Sequence, residues 1–216
     1  MASKSRHTSS GSARAESPRA WRRLTRAELP PRTHALARYL LGKLVVHDSV
    51  HGRLAGRIVE TEAYPPRDPA CHAYVGETAR NRSLFAAHGT CYVYFIYGTW
   101  FMLNVAAEDV GVGAGVLIRA LEPVCGLESM RRLRGTERAR DLTRGPGRVA
   151  QAFAIEARHD GLDLCAPGAL WLAHADAARG VIARSVRIGI TQAAEKPWRY
   201  FERGNVYVSG PRRLNA

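Results

Sequence analysis

The sequence predicts a single α+β domain built on a mostly antiparallel β-sheet. Its 216 residues suit one ordinary domain with enough apolar content for a core. Strand-like runs of alternating or β-branched residues follow one another across short turns, as in hairpins, and the helical patterns between them are few and short. Such an order of elements is typical of an antiparallel sheet with helices packed on it.

The N-terminal 30 residues differ in composition from the rest. Residues 1–30 are rich in Ser, Ala and Arg and poor in aliphatic side chains, which predicts a disordered basic tail. The predicted domain then spans residues 31–216. The Gly-rich stretch at 111–115 lacks the Lys and the helix of a phosphate-binding loop, so we interpret it as a hairpin loop.

Each further element is predicted from local pattern and from turn residues. The predicted order is a helix over 34–45 that stops near Gly42, strands over 44–50 and 53–64 joined near His51, a proline-rich loop over 65–79, a short helix over 80–89, a hairpin made of 90–98 and 100–109, a strand over 116–123, a helix from Pro123 to 134, a short helix over 147–155, and late strands that include 185–191 and 205–210.

The charge of the chain favours a polyanionic partner. Its 32 Lys and Arg residues face 19 Asp and Glu residues, a formal net charge of +13. Residues 1–33 carry +6 of this excess, and the remaining chain still carries +7. An excess that persists through the predicted domain favours nucleic acid over a merely solvated tail.

Cysteine usage and hydropathy point to a soluble cytoplasmic protein. The four cysteines form no CxxC pair and no zinc-type spacing, so we expect reduced thiols. The chain has no apolar run of 18 or more residues and no signal-peptide core, so no membrane partner is expected.

The stretch "VETEAY" at 59–64 places two carboxylates beside a tyrosine. In a strand Glu60, Glu62 and Tyr64 share one face, and the opposite face is apolar. A solvated surface is the ordinary interpretation. A metal site that also uses Asp68 and His72 is conceivable but disfavoured, and we predict no metal.

Tyrosines are concentrated between Tyr64 and Tyr97, five of the eight in the chain. Aromatic clusters most often belong to the core. Rings beside carboxylates in a basic protein also suit a pocket that stacks on a base, and a bulky ring at a hairpin turn can act as a wedge between base pairs.

Seven motifs then occur in the order expected for one family. They are "RIVETEAY", "RNRSLF", "GTCYVYFIYG", "LIRALEP", "RGPGRVAQAFAI", "VRIGIT" and "KPWRYFERGNVYVSG". Over about residues 34–210 the chain resembles the alkyladenine (3-methyladenine) DNA glycosylase family. The resemblance implies a single compact domain with a curved, mostly antiparallel sheet flanked by helices, similar to the C-terminal domain of methionyl-tRNA formyltransferase.

The resemblance also implies roles for individual residues. Glu62 would be the general base, and Arg119 would help hold Glu62 and the attacking water. The resemblance implies a base pocket made of Tyr64, His72, Tyr94 and Asn104, with Asn104 as the gate against guanine. It implies insertion into DNA and minor-groove contact by Tyr97, Gly98, Thr99 and Trp100. It also implies phosphate contacts by Arg80, Arg82 and Arg148.

The implied activity is that of a monofunctional DNA glycosylase of base excision repair. It would act as a monomer on double-stranded DNA that carries a damaged purine, without a cofactor, by flipping out alkylated and deaminated purines. Only Lys4, Lys43 and Lys196 could supply an amine, and none lies in a pocket motif, so water is the expected nucleophile. The alternatives are a non-enzymatic nucleic-acid-binding protein and a metal-dependent nuclease.

Overall fold

The computed structural model describes residues 20–96 and 98–215, and these form one α+β unit around a curled antiparallel sheet. The strands are β1 Leu44–Ser49, β2 Gly52–Tyr64, β3 Cys91–Ile96, β4 Trp100–Ala106, β5 Gly115–Cys125, β6 Leu170–Ala173, β7 Ile182–Ser185 and β8 Arg199–Glu202. The helices are α1 Thr33–Leu40, α2 Leu127–Arg134 and α3 Pro146–Ala152, with short 3₁₀ turns between elements. The predicted fold class is confirmed.

Strand β2 is the centre of the sheet and carries the acidic motif. The order is β3-β4-β5-β2-β1-β6, with β8 on β2 and β7 on β8. Along one edge of β2 the partner changes, since β1 pairs up to Arg57 and β8 pairs from Glu60 to Glu62. Register shifts against β5 lie between Ile58 and Glu60 and between Glu60 and Thr61. Because bulges of this kind bend a strand, the motif lies where β2 curves.

The main core lies between the sheet and the helices α1 and α3. Leu36 and Leu40 of α1, Ile58 of β2 and Phe153 after α3 are fully buried in it. Each such side chain stabilises the fold by about 1.5–3 kcal/mol relative to an exposed position. Thr61 also donates a hydrogen bond of 2.9 Å to the Ala37 carbonyl, which fixes α1 against the strand that carries the acidic motif.

The helix predicted from Pro123 begins later. Strand β5 continues through Pro123 to Cys125, and α2 starts at Leu127. Gly126 separates them with φ of +81°, and a Cβ there would lie 2.5 Å from the Arg53 carbonyl oxygen. The change of direction therefore requires glycine at this position rather than proline three residues earlier.

Two of the late strands predicted from sequence are wrong. Residues 186–191 follow β7 as irregular backbone, and 205–210 form turns. Both segments turn a polar group into the interior: Arg187 bonds to Asp68, and Ser209 bonds to Glu60. These contacts with distant residues override the local strand pattern. The strands actually present in this part of the chain are β6, β7 and β8.

The hairpin predicted over 90–109 is confirmed, with β3 and β4 paired in register from Cys91–Val105 to Ile96–Trp100. The short helix predicted over 80–89 is a 3₁₀ turn, Arg82–Phe85. Helix α1 ends at Leu40, two residues before Gly42. The proline-rich loop over 65–79 contains no helix or strand.

Residues 20–30, which the sequence prediction assigned to the tail, pack on the domain. Leu24 is fully buried and Leu29 nearly so, and the Leu24 N–H donates a 2.9 Å hydrogen bond to the Leu172 carbonyl of β6. Trp21 packs beside β1 and β6. The folded part of the described chain thus begins ahead of residue 31. The predicted disorder of residues 1–19 lies outside the described residues.

Two N-terminal truncations should differ in their effect on the free energy of unfolding. Deleting residues 1–19 should leave the free energy of unfolding unchanged. Deleting residues 1–30 should lower it by about 3–6 kcal/mol, since two buried leucines at about 1.5–3 kcal/mol each are lost. Urea denaturation of both chains measures the difference. Equal stability of the two truncated chains would contradict the packing of Leu24 and Leu29.

No helix among residues 20–96 and 98–215 is long and apolar enough to cross a membrane. No group of three or more His, Cys, Asp and Glu side chains among them is arranged to hold a metal ion.

Candidate active site

A cavity of about 280 Å³ opens where β2, β3, β4 and β5 meet the loops that follow β2 and β7. The predicted residues that line this cavity, called the base cavity below, are Tyr64, His72, Tyr94, Asn104 and Arg119. Five predicted residues from separate parts of the chain are thus brought together. Tyr92, Met102, Pro146 and Ile188 also line it, and the sequence prediction did not include them.

Glu62 lies beneath the base cavity with no exposed surface. Its Oε2 accepts a 2.9 Å hydrogen bond from the Tyr64 hydroxyl and lies 3.2 Å from Nη1 of Arg119. Its Oε1 accepts a 2.7 Å bond from the Ile188 main-chain N–H. Every neighbour is a donor, as a carboxylate requires. The solvated surface that is ordinary for this pattern is therefore wrong here.

Arg119 of β5 links Glu62 to the second carboxylate of the motif. Its Nε lies 3.0 Å from Oε1 of Glu60, and its Nη2 lies 3.3 Å from Oγ of Ser209. Burial alone would lower the pKa of Arg119, but Glu62 and then Glu60 raise it above its ordinary value. Arg119 is therefore a fixed cation between two buried carboxylates.

Glu60 is fully buried and belongs to a network that the sequence prediction missed. It accepts a 2.6 Å hydrogen bond from Nε of Arg199, and bonds of 2.6 and 2.9 Å from the N–H and hydroxyl of Ser209. Burial alone would raise the pKa of Glu60, but Arg119 and Arg199 outweigh burial and hold that pKa below its ordinary value.

Tyr64 is held between Glu62 and a buried arginine. Burial, and then the Glu62 carboxylate, raise the pKa of the Tyr64 phenol well above its ordinary value. The hydroxyl therefore keeps its proton and donates a hydrogen bond to Glu62. The Arg187 guanidinium lies 4.6 Å from the Tyr64 ring centroid and 4.9 Å from that of Trp198. Its Nη2 also bonds to Asp68 at 3.1 Å. Asp68 therefore pairs with arginine rather than contributing to a metal site.

The facing wall of the base cavity is aromatic. The His72 and Tyr94 ring centroids are 4.3 Å apart at 65°, and Tyr92 and Tyr94 are 5.4 Å apart. Nδ1 of His72 lies 2.9 Å from the Tyr92 hydroxyl. Burial, and then the Arg80 charge, lower the pKa of His72, which favours a neutral imidazole at neutral pH. The wall therefore presents ring faces and uncharged polar atoms.

Asn104 lies opposite Tyr92 in the β3–β4 register and is almost fully buried. Its Nδ2 donates to the Tyr92 carbonyl at 3.2 Å and to the Met102 carbonyl at 3.3 Å. The Asn104 amide is thus satisfied by backbone carbonyls and also lines the base cavity.

The hairpin turn lies beyond the aromatic wall. Gly98 and Thr99 are exposed, Gly98 has φ of +66°, and the Thr99 N–H bonds to the Ile96 carbonyl at 3.2 Å. Trp100 is half-buried, and its ring lies about 3.0 Å from where a Cβ on Gly147 would be. The insertion predicted for Tyr97 falls on a residue outside the described ranges.

The three arginines predicted to contact phosphate are exposed. Arg80 donates to the Phe95 carbonyl at 3.0 Å, so it lies along the hairpin. Arg82 begins the 3₁₀ turn that follows the proline-rich loop. Arg148 on α3 lies 3.3 Å from Asp141. All three remain accessible to a ligand of opposite charge.

Comparison with known proteins places the chain in a family. The family model described as "Methylpurine-DNA glycosylase (MPG)" matches residues 28–206. A protein of Mesorhizobium japonicum named "Putative 3-methyladenine DNA glycosylase" is 57% identical over 191 residues, 88% of this chain and 92% of its own length. Proteins with the same name from Paraburkholderia phytofirmans (45% identical; 88% of this chain, 90% of its own) and Rubrobacter xylanophilus (47%; 82% and 92%) are also similar.

These matches bear on both family and activity. The family model covers most of the chain, including the motifs that contribute Glu62, Tyr64 and Arg119. The relatives agree with it over more than four-fifths of the chain. The protein is accordingly a hydrolase that acts on DNA and removes alkylated bases. The chain belongs to the methylpurine-DNA glycosylase family.

Proposed function

We propose that the protein flips an alkylated purine out of duplex DNA into the base cavity and hydrolyses its N-glycosidic bond with a water activated by Glu62. The observation that carries the proposal is the position of Glu62, buried beneath a cavity walled by Tyr64, His72 and Tyr94. A carboxylate under a ring-lined cavity provides a base and a stacking surface in one place.

Recognition follows from the cavity walls. A cationic base such as 3-methyladenine or 7-methylguanine stacks favourably on tyrosine rings, by roughly 0.5–2 kcal/mol through cation–π attraction. Its weakened pairing also lowers the cost of leaving the duplex. A neutral deaminated purine such as hypoxanthine lacks this charge and gains affinity from shape and hydrogen bonds, so we include it as the weaker class of substrate.

Cleavage builds positive charge on the deoxyribose as the bond to the base breaks. Glu62 takes a proton from the water whose oxygen bonds to C1′, and its negative charge stabilises the sugar cation. The electron pair of the broken bond leaves with the base, and a cationic base departs as a neutral molecule. Arg119, 3.2 Å from Glu62, holds the carboxylate in place.

DNA binding is assigned to the hairpin and to the basic surface. Tyr97, Gly98, Thr99 and Trp100 enter the minor groove, with Tyr97 filling the vacated space. Arg80, Arg82 and Arg148 contact phosphates, in keeping with a net charge of +13. We assign a monomer that acts in the cytoplasm without cofactor.

Excision assays test the proposal directly. Duplexes that carry 3-methyladenine, 7-methylguanine or hypoxanthine are incubated with the protein, with and without EDTA, and abasic sites are cleaved with alkali. We expect abasic strands that remain intact until alkali is added, with equal yields in EDTA. Loss of activity in EDTA would favour the nuclease, a borohydride-trapped adduct would favour an amine nucleophile, and binding without excision would favour a non-enzymatic DNA-binding protein.

Replacing Asn104 with Ser should relax the rejection of guanine. Guanine differs from hypoxanthine by its 2-amino group, and a shorter side chain at this buried position of the cavity leaves room for that group. We expect measurable release of guanine from G·T duplexes, with hypoxanthine release from I·T duplexes of the same sequence retained. Single-turnover assays measure both. Retained hypoxanthine release with no gain on guanine would show that Asn104 serves the backbone alone.

A further inference from the structure

Four charged side chains meet under the base cavity, and their formal charges cancel. Glu60 and Glu62 are both fully buried, as is Arg199, and Arg119 is nearly so. Arg119 lies 3.0 Å from Glu60 and 3.2 Å from Glu62, whereas Arg199 lies 2.6 Å from Glu60. Glu62 therefore shares its cation with a second carboxylate two residues away on the same strand.

We propose that Glu60 is a positioning residue that divides the charge of Arg119 between two carboxylates and so holds the Arg119 guanidinium in place against Glu62, the proposed base. The proposal rests on the proposed role of Glu62 and deepens it. A nearby cation lowers the pKa of a carboxyl group, and a nearby anion raises it. With Glu60 ionised beside Arg119, Glu62 interacts with a cation that is already half neutralised.

Groups from two other parts of the chain and from β2 itself lie near Glu62 and affect the charge around it. Arg119 comes from β5, and the Ile188 N–H comes from the loop after β7. On β2 itself the Tyr64 hydroxyl donates to Glu62 and keeps its proton. The Arg187 charge lies behind the Tyr64 ring and is balanced by Asp68. Glu60 is therefore the anion closest to the Arg119–Glu62 pair among these groups.

Residues 209–215, called the C-terminal clamp below, hold Glu60 in place. Ser209 donates its N–H and its hydroxyl to Glu60. The Leu214 carbonyl and Asn215 Oδ1 accept bonds of 3.0 and 2.7 Å from Arg199, the other cation on Glu60. The Ser209 hydroxyl, which also lies 3.3 Å from Arg119, touches both members of the Glu60–Arg119 pair.

The C-terminal clamp also touches the loop that donates to Glu62. Gly210 has φ of +79°, and a Cβ there would lie 2.4 Å from Cδ1 of Ile188. The side chain of the residue whose N–H bonds to Glu62 thus packs directly on the clamp. Glu62 is connected to the clamp by two routes, one through charges and one through packing.

The pH dependence of single-turnover excision tests the charge route. In Glu60→Gln, Glu62 is the one carboxylate left among these four side chains to balance Arg119 and Arg199, so the acid limb of the rate profile should move to lower pH by about one unit. The plateau rate should fall by about tenfold because Arg119 is no longer held between two carboxylates and positions Glu62 less well. A purely structural role for Glu60 would lower the rate or the stability without moving the acid limb, and that result would overturn the proposal.

A matched pair of serine variants tests the positioning, and does so even if Glu60→Gln does not fold. Ser209→Ala removes the hydroxyl shared by Glu60 and Arg119 and should lower the plateau rate by about tenfold with the acid limb unmoved. Ser185→Ala removes a hydroxyl that accepts a bond from Nη1 of Arg199, donates to the Val186 carbonyl and bonds to neither Glu60 nor Arg119, so this variant should keep the wild-type rate. Equal rates for the two variants would overturn the positioning role.

Failure of this inference is distinguishable from failure of the proposed function. Full excision by Glu62→Gln would show that Glu62 is not the base, and the proposed function would fail. An inactive Glu62→Gln together with an unmoved acid limb in a folded Glu60→Gln would retain Glu62 as the base and reject the charge sharing. DNA binding, measured in parallel by fluorescence anisotropy with a lesion duplex, should remain at wild-type affinity in both serine variants.

Discussion

Replacing Glu62 with Gln should reduce the single-turnover rate of alkylpurine excision by about 10²–10⁴-fold, the range typical of a lost general base. The amide keeps the shape of the carboxylate but cannot take a proton from water. Because Glu62 lies beneath the base cavity rather than on its walls, affinity for the lesion duplex should stay close to that of the wild type. Rapid-quench assays and fluorescence anisotropy measure the two quantities separately.

The control for this change is Glu137→Gln. Glu137 is 90% exposed and carries the same charge, so the control makes the same change in net charge away from the cavity. It should keep the wild-type rate and affinity. Excision by Glu62→Gln within tenfold of the wild type would exclude Glu62 as the base. A parallel loss of duplex affinity would instead point to misfolding, which circular dichroism would reveal.

Replacing Arg187 with Met should lower the free energy of unfolding by about 3–5 kcal/mol, the cost of leaving one member of a buried ion pair without its partner. The side chains of Arg187 and Asp68 have no exposed surface. Methionine fills the volume but leaves the Asp68 carboxylate without its cation, and Tyr64 and Trp198 lose the guanidinium between them. Urea denaturation measures the loss.

Two further variants test whether the unpaired Asp68 carboxylate causes the loss of stability in Arg187→Met. Arg158→Met breaks an exposed pair with Glu156 and should change the free energy of unfolding by less than about 0.5 kcal/mol. The double variant Asp68→Leu with Arg187→Met removes both charges and should regain part of the stability lost by Arg187→Met alone. A double variant as unstable as the single one would show that packing, rather than the unpaired carboxylate, causes the loss.

Much of the sheet could be predicted because its signals are local. Strand β2 and the β3–β4 hairpin follow from β-branched and aromatic residues bounded by turn residues. The late strands could not be placed this way. Residues 185–191 alternate like a strand, but the Arg187 side chain is held by a carboxylate 119 residues earlier in the chain. Local periodicity carries no information about such a partner.

The same distinction between local signals and distant contacts applies to the candidate site. Residues in recognisable motifs, such as Glu62, Tyr64 and Arg119, were predicted, and the structure brings them together. Arg187 and Arg199 lie in two of the quoted motifs but were assigned no role, because the local pattern around an arginine does not show which distant carboxylate it pairs with. Glu60 was noticed but assigned no role, because a solvated face is the usual position of a second carboxylate in an alternating strand. Its burial depends on the C-terminal clamp, which local pattern does not reveal.

The C-terminal clamp has a consequence for synthesis on the ribosome. Ser209 and Glu60 are 149 residues apart in sequence, so the clamp closes one of the longest loops in the described chain. A nascent chain that has passed Glu62 but not yet Ser209 carries the proposed base without the Ser209 N–H and hydroxyl that bond to Glu60. Contacts this distant form late in folding. Excision activity should therefore appear only after residues 209–215 have emerged from the ribosome.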